Sequence, residues 1–426
     1  MEAKTRPAGS PQVGDTSAGA ARLASATTRL AMALLVLAGL ASCGTAPLSL
    51  SPAEAVRLSA EQKRLLDVQT RLRPSPTVRA STMARAATPM PLPPHPSPPP
   101  ITWRLADRTY TVDDYLERQP VMALLIAKDG QVVYERYKFG RTAHHLFLSN
   151  SIAKSFTGLA TLLAQREGRI PDLDVPAQHH LPALAGSAYG ETTLRNLVRM
   201  GSGVRFNETN EPGDDLSRFR QDWSVRGVVA AARQFDQREV PQGTRFRYSG
   251  TEPALMSAVL RAATGQNVAD YLQSRLWQAV GAEADASWFE DPTGLNLTLC
   301  CILARPRDYL RLGIVLANDG RRPDTGALVI PRDALVAATD WHRADPPFRP
   351  RSAAGWGYEH YFWLQGGETR RFAMLGLRGQ AVFVDPTNRL TMVHFAVNDS
   401  PHMEATTMAR ERAALWRGVV QALGRW

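Results

Sequence analysis

The alternation of apolar and polar positions places strands at both ends of the C-terminal three quarters of the chain. Two β-rich runs, residues 121–127 and 131–137, flank a Lys-Asp-Gly turn and predict a hairpin. The β pattern returns after Gly355, in runs at residues 358–364, 371–375, 380–384 and 390–397. An amphipathic pattern then predicts a last helix over about residues 403–423.

Between these strands, over about residues 155–345, the pattern is mainly helical with Gly and Pro punctuation. Strands from both ends with helices between them predict one antiparallel sheet flanked by helices. The helical insertion then forms a second lobe. The predicted fold class is α+β, an α/β sandwich with a helical insertion, and we expect the active site between the two lobes, where clefts form.

The N-terminal segment has the pattern of an export signal. Two arginines precede an apolar stretch at residues 30–40, which is too short to span a bilayer but suits a secretory signal. The stretch ends in a Leu-Ala-Ser-Cys run at Cys43 that resembles a bacterial lipobox. We expect residues 1–42 to be a lipoprotein signal peptide and Cys43 to be lipidated. Gly44 indicates transfer to the periplasmic face of the outer membrane.

A proline-rich segment follows. Residues 73–100 contain ten of the 30 prolines, a composition that favours a stiff, extended spacer. We therefore expect residues 43–100 to be a tether, with a short helix over residues 52–72. The tether would hold a catalytic domain at residues 101–426 away from the membrane and be dispensable for catalysis.

Charge and cysteine content exclude several classes of function. The net charge is +10, but residues 1–100 carry 11 Lys/Arg and 5 Asp/Glu, so the remaining chain is only weakly basic and a nucleic-acid partner is not expected. No Cys-x-x-Cys or His-Glu-x-x-His spacing occurs, so we expect no metal and no cofactor. Adjacent cysteines rarely bridge, so Cys300 and Cys301 are interpreted as core residues.

The candidate chemistry begins with Ser151 and Lys154. If a helix starts near Ser151, this spacing puts the lysine amine over the serine hydroxyl. Serine is a weak nucleophile until a base takes its proton, and lysine is such a base only when burial or positive charge lowers its pKa. The apolar run at residues 156–163 supplies that burial. The alternative is a solvated helix pair, but none of the other four lysines has a serine at this spacing.

Two further elements have the chemistry of a site. Tyr248 lies in a Phe-Arg-Tyr-Ser-Gly run before a helical stretch and is placed to share or pass on a proton, unless it is only a packed aromatic. The Gly-Leu-Arg-Gly-Gln run at residues 376–380 precedes a strand. Its glycines either let the backbone approach a ligand or form a plain turn.

In this order and spacing, these elements resemble the serine β-lactamase and penicillin-binding superfamily. The nearest likeness is to its hydrolases that include 6-aminohexanoate-dimer hydrolase and family VIII carboxylesterases. Further similar stretches are residues 193–208, 272–280 and 304–309. The resemblance covers about residues 105–425. It implies a β-lactamase/transpeptidase-like fold and acyl transfer through Ser151, with Lys154 and Tyr248 as the general base pair.

The resemblance also implies the remaining site positions. The oxyanion hole is expected from the N–H of Ser151 and a strand N–H near residues 373–375, assigned to Met374. The expected substrate-binding residues are Asn210, Gly250, Arg378, Gly379 and Gln380.

Departures from the family pattern reduce the range of substrates that we expect. No lysine follows Lys154, so the Lys-Thr-Gly element that holds a β-lactam carboxylate is missing, and Arg371 or Arg378 are the candidates for its charge. Gly250 stands where β-lactamases carry Asn, and Asn210 stands where nylon-oligomer hydrolases carry Tyr. We expect poor β-lactam hydrolysis and a small-molecule ester or small linear amide as substrate.

Other functions remain open at this point. A periplasmic location permits a cell-wall peptidase or amidase, or a β-lactamase-like enzyme. A non-catalytic binding module of the same fold is a further alternative, which the joint presence of Ser151, Lys154 and Tyr248 disfavours. An α/β-hydrolase is excluded because the chain has no Gly-x-Ser-x-Gly motif.

Overall fold

The computed structural model describes residues 50, 52–75, 77–352, 355–400 and 406–426. The expected signal peptide and Cys43 lie outside these residues. Within the described ranges, no helix combines the length and the apolar composition that crossing a membrane requires.

An antiparallel sheet of seven strands forms the centre of the fold, in the order β5-β4-β13-β12-β11-β10-β9. The strands of the protein are β1 (Ala80–Met83), β2 (Thr102–Leu105), β3 (Arg108–Thr111), β4 (Val121–Lys128), β5 (Gln131–Tyr137), β6 (Phe147–Leu148), β7 (Ala286–Phe289), β8 (Ile302–Ala304), β9 (Trp356–Glu359), β10 (Phe362–Gln365), β11 (Arg371–Gly376), β12 (Gln380–Asp385) and β13 (Leu390–Ala396). β4 pairs with β13, so strands from both ends of the domain join in one sheet. This arrangement confirms the predicted α+β class.

Helices cover both faces of this sheet. The α-helices of the described residues are α1 (Pro52–Arg57), α2 (Ala60–Arg71), α3 (Val112–Arg118), α4 (Ile152–Arg166), α5 (Leu194–Val198), α6 (Asp215–Arg226), α7 (Val228–Ala232), α8 (Thr251–Thr264), α9 (Val268–Leu272), α10 (Pro306–Ala317), α11 (Arg332–Thr339) and α12 (Thr407–Leu423). In α10, Gly313 packs so closely on Val382 and Thr391 that a methyl group there would clash. In α12, Trp416 stacks on Phe383 at 5.4 Å between ring centroids. Because neighbouring strand residues point to opposite faces, α10 and α12 sandwich the sheet.

Helix α4 carries the candidate nucleophile motif into the core. Its residues from Ile152 to Ala164 are all buried. A methyl group at Gly158 would lie 2.0 Å from the carbonyl oxygen of His360, and Ser155 donates a hydrogen bond to the carbonyl of Tyr361 at 2.6 Å. These contacts fix α4 against the β9–β10 turn of the sheet.

A second sheet departs from the sequence pattern. It has four strands in the order β1-β7-β8-β6, and both β7 and β8 lie inside the region with a mainly helical pattern. β6 leads directly to Ser149, whose N–H and hydroxyl bond the main chain of Ile302, the first residue of β8. The second sheet therefore positions the chain just before the Ser-x-x-Lys motif.

The segment before residue 101 is not the extended spacer that the sequence predicts, because it packs against the domain. Leu66 and Leu72 of the helical stretch, and Met83 and Met90 within the proline-rich stretch, are buried in the core of the domain. Strand β1 pairs with β7 from Ala80 to Met83. Prolines are compatible with this packing because the apolar residues between them supply the buried contacts.

The expectation of two unpaired cysteines is also wrong. Cys300 and Cys301 form a disulfide between neighbours in sequence. Cys301 has a positive φ of 85°. The bridge directly follows Leu299, whose carbonyl group contacts the candidate active site.

Candidate active site

Ser151 and Lys154 lie in hydrogen-bond contact at the start of α4. The Nζ atom of Lys154 donates to the Ser151 hydroxyl at 2.8 Å. Ser151 caps the helix with α-region backbone angles, and its side chain makes no capping bond, so its hydroxyl remains available. The two side chains are 7% and 2% exposed. The predicted juxtaposition of amine and hydroxyl is therefore present in the structure.

The surroundings of Lys154 favour its neutral form. Burial lowers the pKa of Lys154 to about 8, opposed by the negative charge of Glu208 and assisted by the positive charge of Arg220. A lysine with this pKa is neutral in about a tenth of molecules at pH 7, against a few in ten thousand for an ordinary lysine. The side chain also donates to the carbonyl oxygen of Leu299 at 2.7 Å. The amine is thus held in place and partly deprotonated.

Tyr248 completes the group that the sequence predicts. Its ring centroid lies 4.9 Å from Nζ of Lys154 and stacks on Trp363 at 5.8 Å. The hydroxyl is enclosed and has no aligned hydrogen-bond partner, although the Ser151 hydroxyl is close enough to lower its pKa. Burial and the charge of Glu208 outweigh that effect and raise the pKa of Tyr248 far above its usual value. Tyr248 is therefore a neutral phenol that keeps its proton and can donate a hydrogen bond.

The main chain around Gly376 approaches the serine amide. A methyl group at Gly376 would lie 3.1 Å from the amide nitrogen of Ser151 and 2.6 Å from the carbonyl oxygen of Ser149. The next peptide is held by the Asn150 side chain, which donates to the carbonyl oxygen of Leu377 at 2.9 Å. Asn150 itself has a positive φ of 46°, a strained conformation of the kind that collects at functional sites.

Met374, the predicted second oxyanion donor, lies two residues before Gly376. It is fully buried within β11, in register with Val382 of β12. The residue that the structure brings next to the serine amide is Gly376 instead. The approach predicted for this strand is present, displaced toward its C-terminal end.

Three predicted substrate-binding residues are engaged within the protein. Arg378 donates to the main-chain carbonyls of Asn398 and Asp399 and lies 3.5 Å from a carboxylate oxygen of Glu61. Gln380 is fully buried and bonds both main-chain groups of Ala396 at 3.0 Å. Gly379 packs against Met408 and Ala396. The structure does not bring these residues to Ser151 or Lys154.

Arg371 is likewise committed elsewhere. Its Nε lies 2.7 Å from the carboxylate of Asp385, and its Nη2 donates to the carbonyl oxygen of Arg425 at 3.1 Å. The side chain is only 2% exposed. Neither arginine proposed to replace the missing lysine is thus a free cation facing the serine.

Asn210 and Gly250 lie on separate segments of the chain. Asn210 has a positive φ of 62°, and its N–H bonds the carboxylate of Asp214 at 2.8 Å. The N–H of Gly250 donates to the carboxylate of Glu208 at 2.6 Å. Both segments therefore meet around Glu208.

No cluster of three or more His, Cys, Asp or Glu side chains suited to a metal ion occurs in the described ranges. The chemistry that the arrangement offers is proton transfer and nucleophilic attack by the groups already named.

A twisted antiparallel sheet between helices, with a Ser-x-x-Lys pair opening a buried helix, defines the class of β-lactamase-fold serine hydrolases. The chain belongs to the Beta-lactamase family, whose match extends over residues 109–415. The resemblance inferred from the motifs is therefore confirmed.

The relatives of this chain include a 6-aminohexanoate-dimer hydrolase. The 6-aminohexanoate-dimer hydrolase of Paenarthrobacter ureafaciens is 24% identical over 293 residues, covering 66% of this chain and 74% of that protein. A Bacillus anthracis structure, provisionally assigned as a 6-aminohexanoate-dimer hydrolase, is 20% identical with a TM-score of 0.70, covering 81% and 90% of the two chains. A family VIII carboxylesterase is 15% identical with a TM-score of 0.54, covering 72% and 95%. At these identities the two structures establish the fold.

Several site residues carry no clear signal in the sequence. Leu299 and Leu377 contribute main-chain groups, which cannot be predicted from the residue type. Trp363 cannot be distinguished in the sequence from the other apolar positions of its strand. Glu208 was visible in the stretch shared with the family, but only the folded arrangement places its carboxylate between Gly250 and Lys154.

Proposed function

We propose that this protein is a serine hydrolase that cleaves small carboxylic esters, and more slowly linear amides, through an acyl-enzyme on Ser151. The observation that carries the proposal is the 2.8 Å contact between the Ser151 hydroxyl and Nζ of the buried Lys154. A nucleophile in contact with a base of lowered pKa is the arrangement that acyl transfer requires.

Acylation follows from the positions of these groups. Neutral Lys154 takes the hydroxyl proton while Oγ of Ser151 bonds the acyl carbon, and the lysine becomes an ammonium ion. The carbonyl oxygen of the substrate gains negative charge and accepts hydrogen bonds from the N–H of Ser151 and, we infer, the N–H of Leu377. Tyr248 gives its proton to the leaving oxygen or nitrogen and regains one from the Lys154 ammonium.

Deacylation repeats the scheme with water as the nucleophile. Lys154, neutral again, takes a proton from water as its oxygen attacks the acyl carbon. The bond to Oγ of Ser151 breaks, the serine regains a proton from the Lys154 ammonium, and the carboxylic acid leaves. Lys154 therefore carries the proton in both steps.

The groups missing from the site favour uncharged substrates. A β-lactam carboxylate needs a fixed cation, and Arg371 and Arg378 are held by Asp385 and by the Glu61 and 398–399 contacts. A simple ester has no carboxylate to anchor. The hydrolysis of amide dimers by the Paenarthrobacter relative supports linear amides as a second substrate class.

A labelling experiment tests the nucleophile. A fluorophosphonate probe should modify the wild type at Ser151, and Ser151→Ala should lose both the label and turnover. Ser155→Ala is a control, because Ser155 lies one turn further along α4 and bonds only the Tyr361 carbonyl. Full labelling of Ser151→Ala would overturn the assignment.

A substrate panel tests the specificity. We expect kcat/KM to be higher for p-nitrophenyl butyrate than for a linear aminohexanoate dimer, and lowest for nitrocefin. Nitrocefin hydrolysis faster than ester hydrolysis would contradict the proposal and point to a working carboxylate anchor.

We also propose that the protein is exported and fixed to a membrane through a lipid on Cys43, on the basis of the lipobox-like run alone. Metabolic labelling with a radioactive fatty acid tests this, since Cys43→Ser should abolish incorporation. Incorporation that persists in the variant would exclude Cys43 as the site.

A further inference from the structure

The space beside Gly250 is filled by another residue's carboxylate. A methyl group at Gly250 would lie 3.2 Å from Oε2 of Glu208 and equally close to Leu216 and Leu299, so the position has no room for a larger side chain. Where β-lactamases carry an Asn at this position, this chain places the Glu208 carboxylate. The polar group at this point of the site therefore comes from a different segment.

The residues on both sides of Glu208 are held by hydrogen bonds to two aspartates. The N–H of Asn207 donates to Asp215 at 2.7 Å, and the N–H groups of Thr209 and Asn210 donate to Asp214 at 3.0 and 2.8 Å. Both aspartates open helix α6, and Asp214 caps it. Glu208 is thus held by the start of a helix on one side and by the Gly250 N–H on the other.

Glu208 and the catalytic group affect each other's pKa values. Burial raises the pKa of Glu208, and the Asp214 carboxylate adds to this, whereas Lys154, the Gly250 N–H and Arg220 favour the ionised form. In return, the Glu208 charge raises the pKa of Lys154 and of the phenols Tyr248 and Tyr358. Lys154 makes its direct hydrogen bonds to Ser151 and Leu299, so Glu208 acts on Lys154 through its charge and not through a hydrogen bond.

We propose that Glu208 is a positioning residue for the catalytic base: it stabilises the Lys154 ammonium that forms when the Ser151 proton is transferred, and it fixes the Tyr248–Gly250 segment through the Gly250 N–H. This inference rests on the proposed acyl transfer and adds a fourth residue to its machinery. The ammonium ion is the charged species of the acylation step, and a carboxylate is the group in this site that opposes its charge.

The two parts of this role predict different effects for two variants. Glu208→Gln keeps the shape and an acceptor for the Gly250 N–H but removes the charge. Without the carboxylate, Lys154 loses its proton more readily, so the ascending limb of the pH profile should move to lower pH. Glu208→Ala also frees the Tyr248–Gly250 segment and should lower kcat by about 100-fold.

The rate of fluorophosphonate labelling of Ser151 between about pH 5 and 10 is the best measurement, because it needs no substrate to be known. Wild type, Glu208→Gln and Glu208→Ala are compared with Glu191→Gln, an exposed glutamate away from the site. We expect the ascending limb of the pH–rate profile to lie at lower pH for Glu208→Gln than for the wild type. The profile of Glu191→Gln should coincide with that of the wild type. Thermal unfolding of each variant shows whether the fold is retained.

The outcomes separate the two proposals. Labelling of the wild type with a Glu208→Gln profile that coincides with it, or that lies at higher pH, would overturn the role of Glu208 and leave the nucleophile intact. Failure of the wild type to react at Ser151 at any pH would overturn the proposed function, and the role of Glu208 with it.

Discussion

Nζ of Lys154 lies 2.7 Å from the carbonyl oxygen of Leu299 and 2.8 Å from the Ser151 hydroxyl, so this amine is held by two hydrogen bonds. A neutral amine has two protons and one lone pair. When one proton points to this carbonyl, the amine is restrained with its lone pair free to face the Ser151 hydroxyl, 2.8 Å away. The Leu299 carbonyl thus orients the base and also accommodates the extra proton of the ammonium form.

The pH profile should report the protonation state of Lys154. We expect kcat/KM for p-nitrophenyl butyrate to rise with pH and level off above about 8, the pKa to which burial lowers this lysine. Lys154→Arg should lose about 10²–10⁴-fold in turnover, because a guanidinium stays charged. Lys63→Arg, on the exposed side of α2, is the control. A Lys154→Arg enzyme with wild-type turnover would rule out lysine as the base.

Removing the Tyr248 hydroxyl should affect amides more than activated esters. Tyr248→Phe keeps the ring stacked on Trp363 and removes only the proton donor. An amine leaving group needs that proton, so kcat for a linear amide should fall about 10²–10⁴-fold. p-Nitrophenolate leaves without one, so the ester should lose far less. Tyr271→Phe, in α9, is the matched control. Equal losses for both substrates would indicate a role in binding instead.

Glu252 should make the folded state less stable as the pH rises. It is 2% exposed, accepts a hydrogen bond from Ser202 at 2.7 Å, and has a second, enclosed oxygen with no partner. Burial raises its pKa from 4.5 to about 8. The unfolded chain ionises near pH 4.5 while the folded chain keeps its proton, so the free energy of unfolding falls between these values, by a few kcal/mol in total.

Urea unfolding of Glu252→Gln across this range provides the measurement. The amide does not titrate, so the variant should gain stability relative to the wild type as the pH rises from about 5 to 8. Glu191→Gln should track the wild type throughout. A stability difference that stays constant with pH would show that Glu252 is already ionised in the folded protein.

Truncation should distinguish the proline-rich segment from a spacer. A chain of residues 50–426 keeps Leu66, Met83 and Met90 in the core and β1 paired with β7. A chain of residues 101–426 loses all of these and should be several kcal/mol less stable, since each buried apolar side chain contributes about 1.5–3 kcal/mol. Urea unfolding of both fragments tests this. Equal stability would restore the interpretation as a dispensable tether.

The sequence pattern predicts most of the central sheet where its strands are long and apolar. The single run predicted at residues 358–364 is instead the two short strands β9 and β10, joined by a turn at His360 and Tyr361. Runs such as residues 121–127 and 390–397 are buried strands in register with each other. The short strands β7 and β8 cannot be predicted in this way. They have four and three residues within a region of helical pattern, which is too few to show an alternation of apolar and polar positions. Their partners, β1 and β6, lie far away in sequence. Pairing at that distance depends on the whole fold.

Likewise, only some residues of the candidate site can be predicted from the sequence. Ser151 and Lys154 follow from a three-residue spacing, and Tyr248 from an aromatic before a helix. The sequence predicts Met374 beside the Ser151 amide, but Gly376 lies there, because the turn after β11 decides which peptide reaches that amide. Glu208 could not be assigned at all, since its role depends on the room left by a glycine forty-two residues later.

The contact of α2 with the loop after β11 connects the N-terminal segment to the chain beside Ser151. Glu61 lies 3.5 Å from Arg378, the neighbouring Leu377 carbonyl is bonded by Asn150, and Asn150 precedes Ser151. The segment before residue 101 is therefore one support of the loop that lies next to the candidate nucleophile.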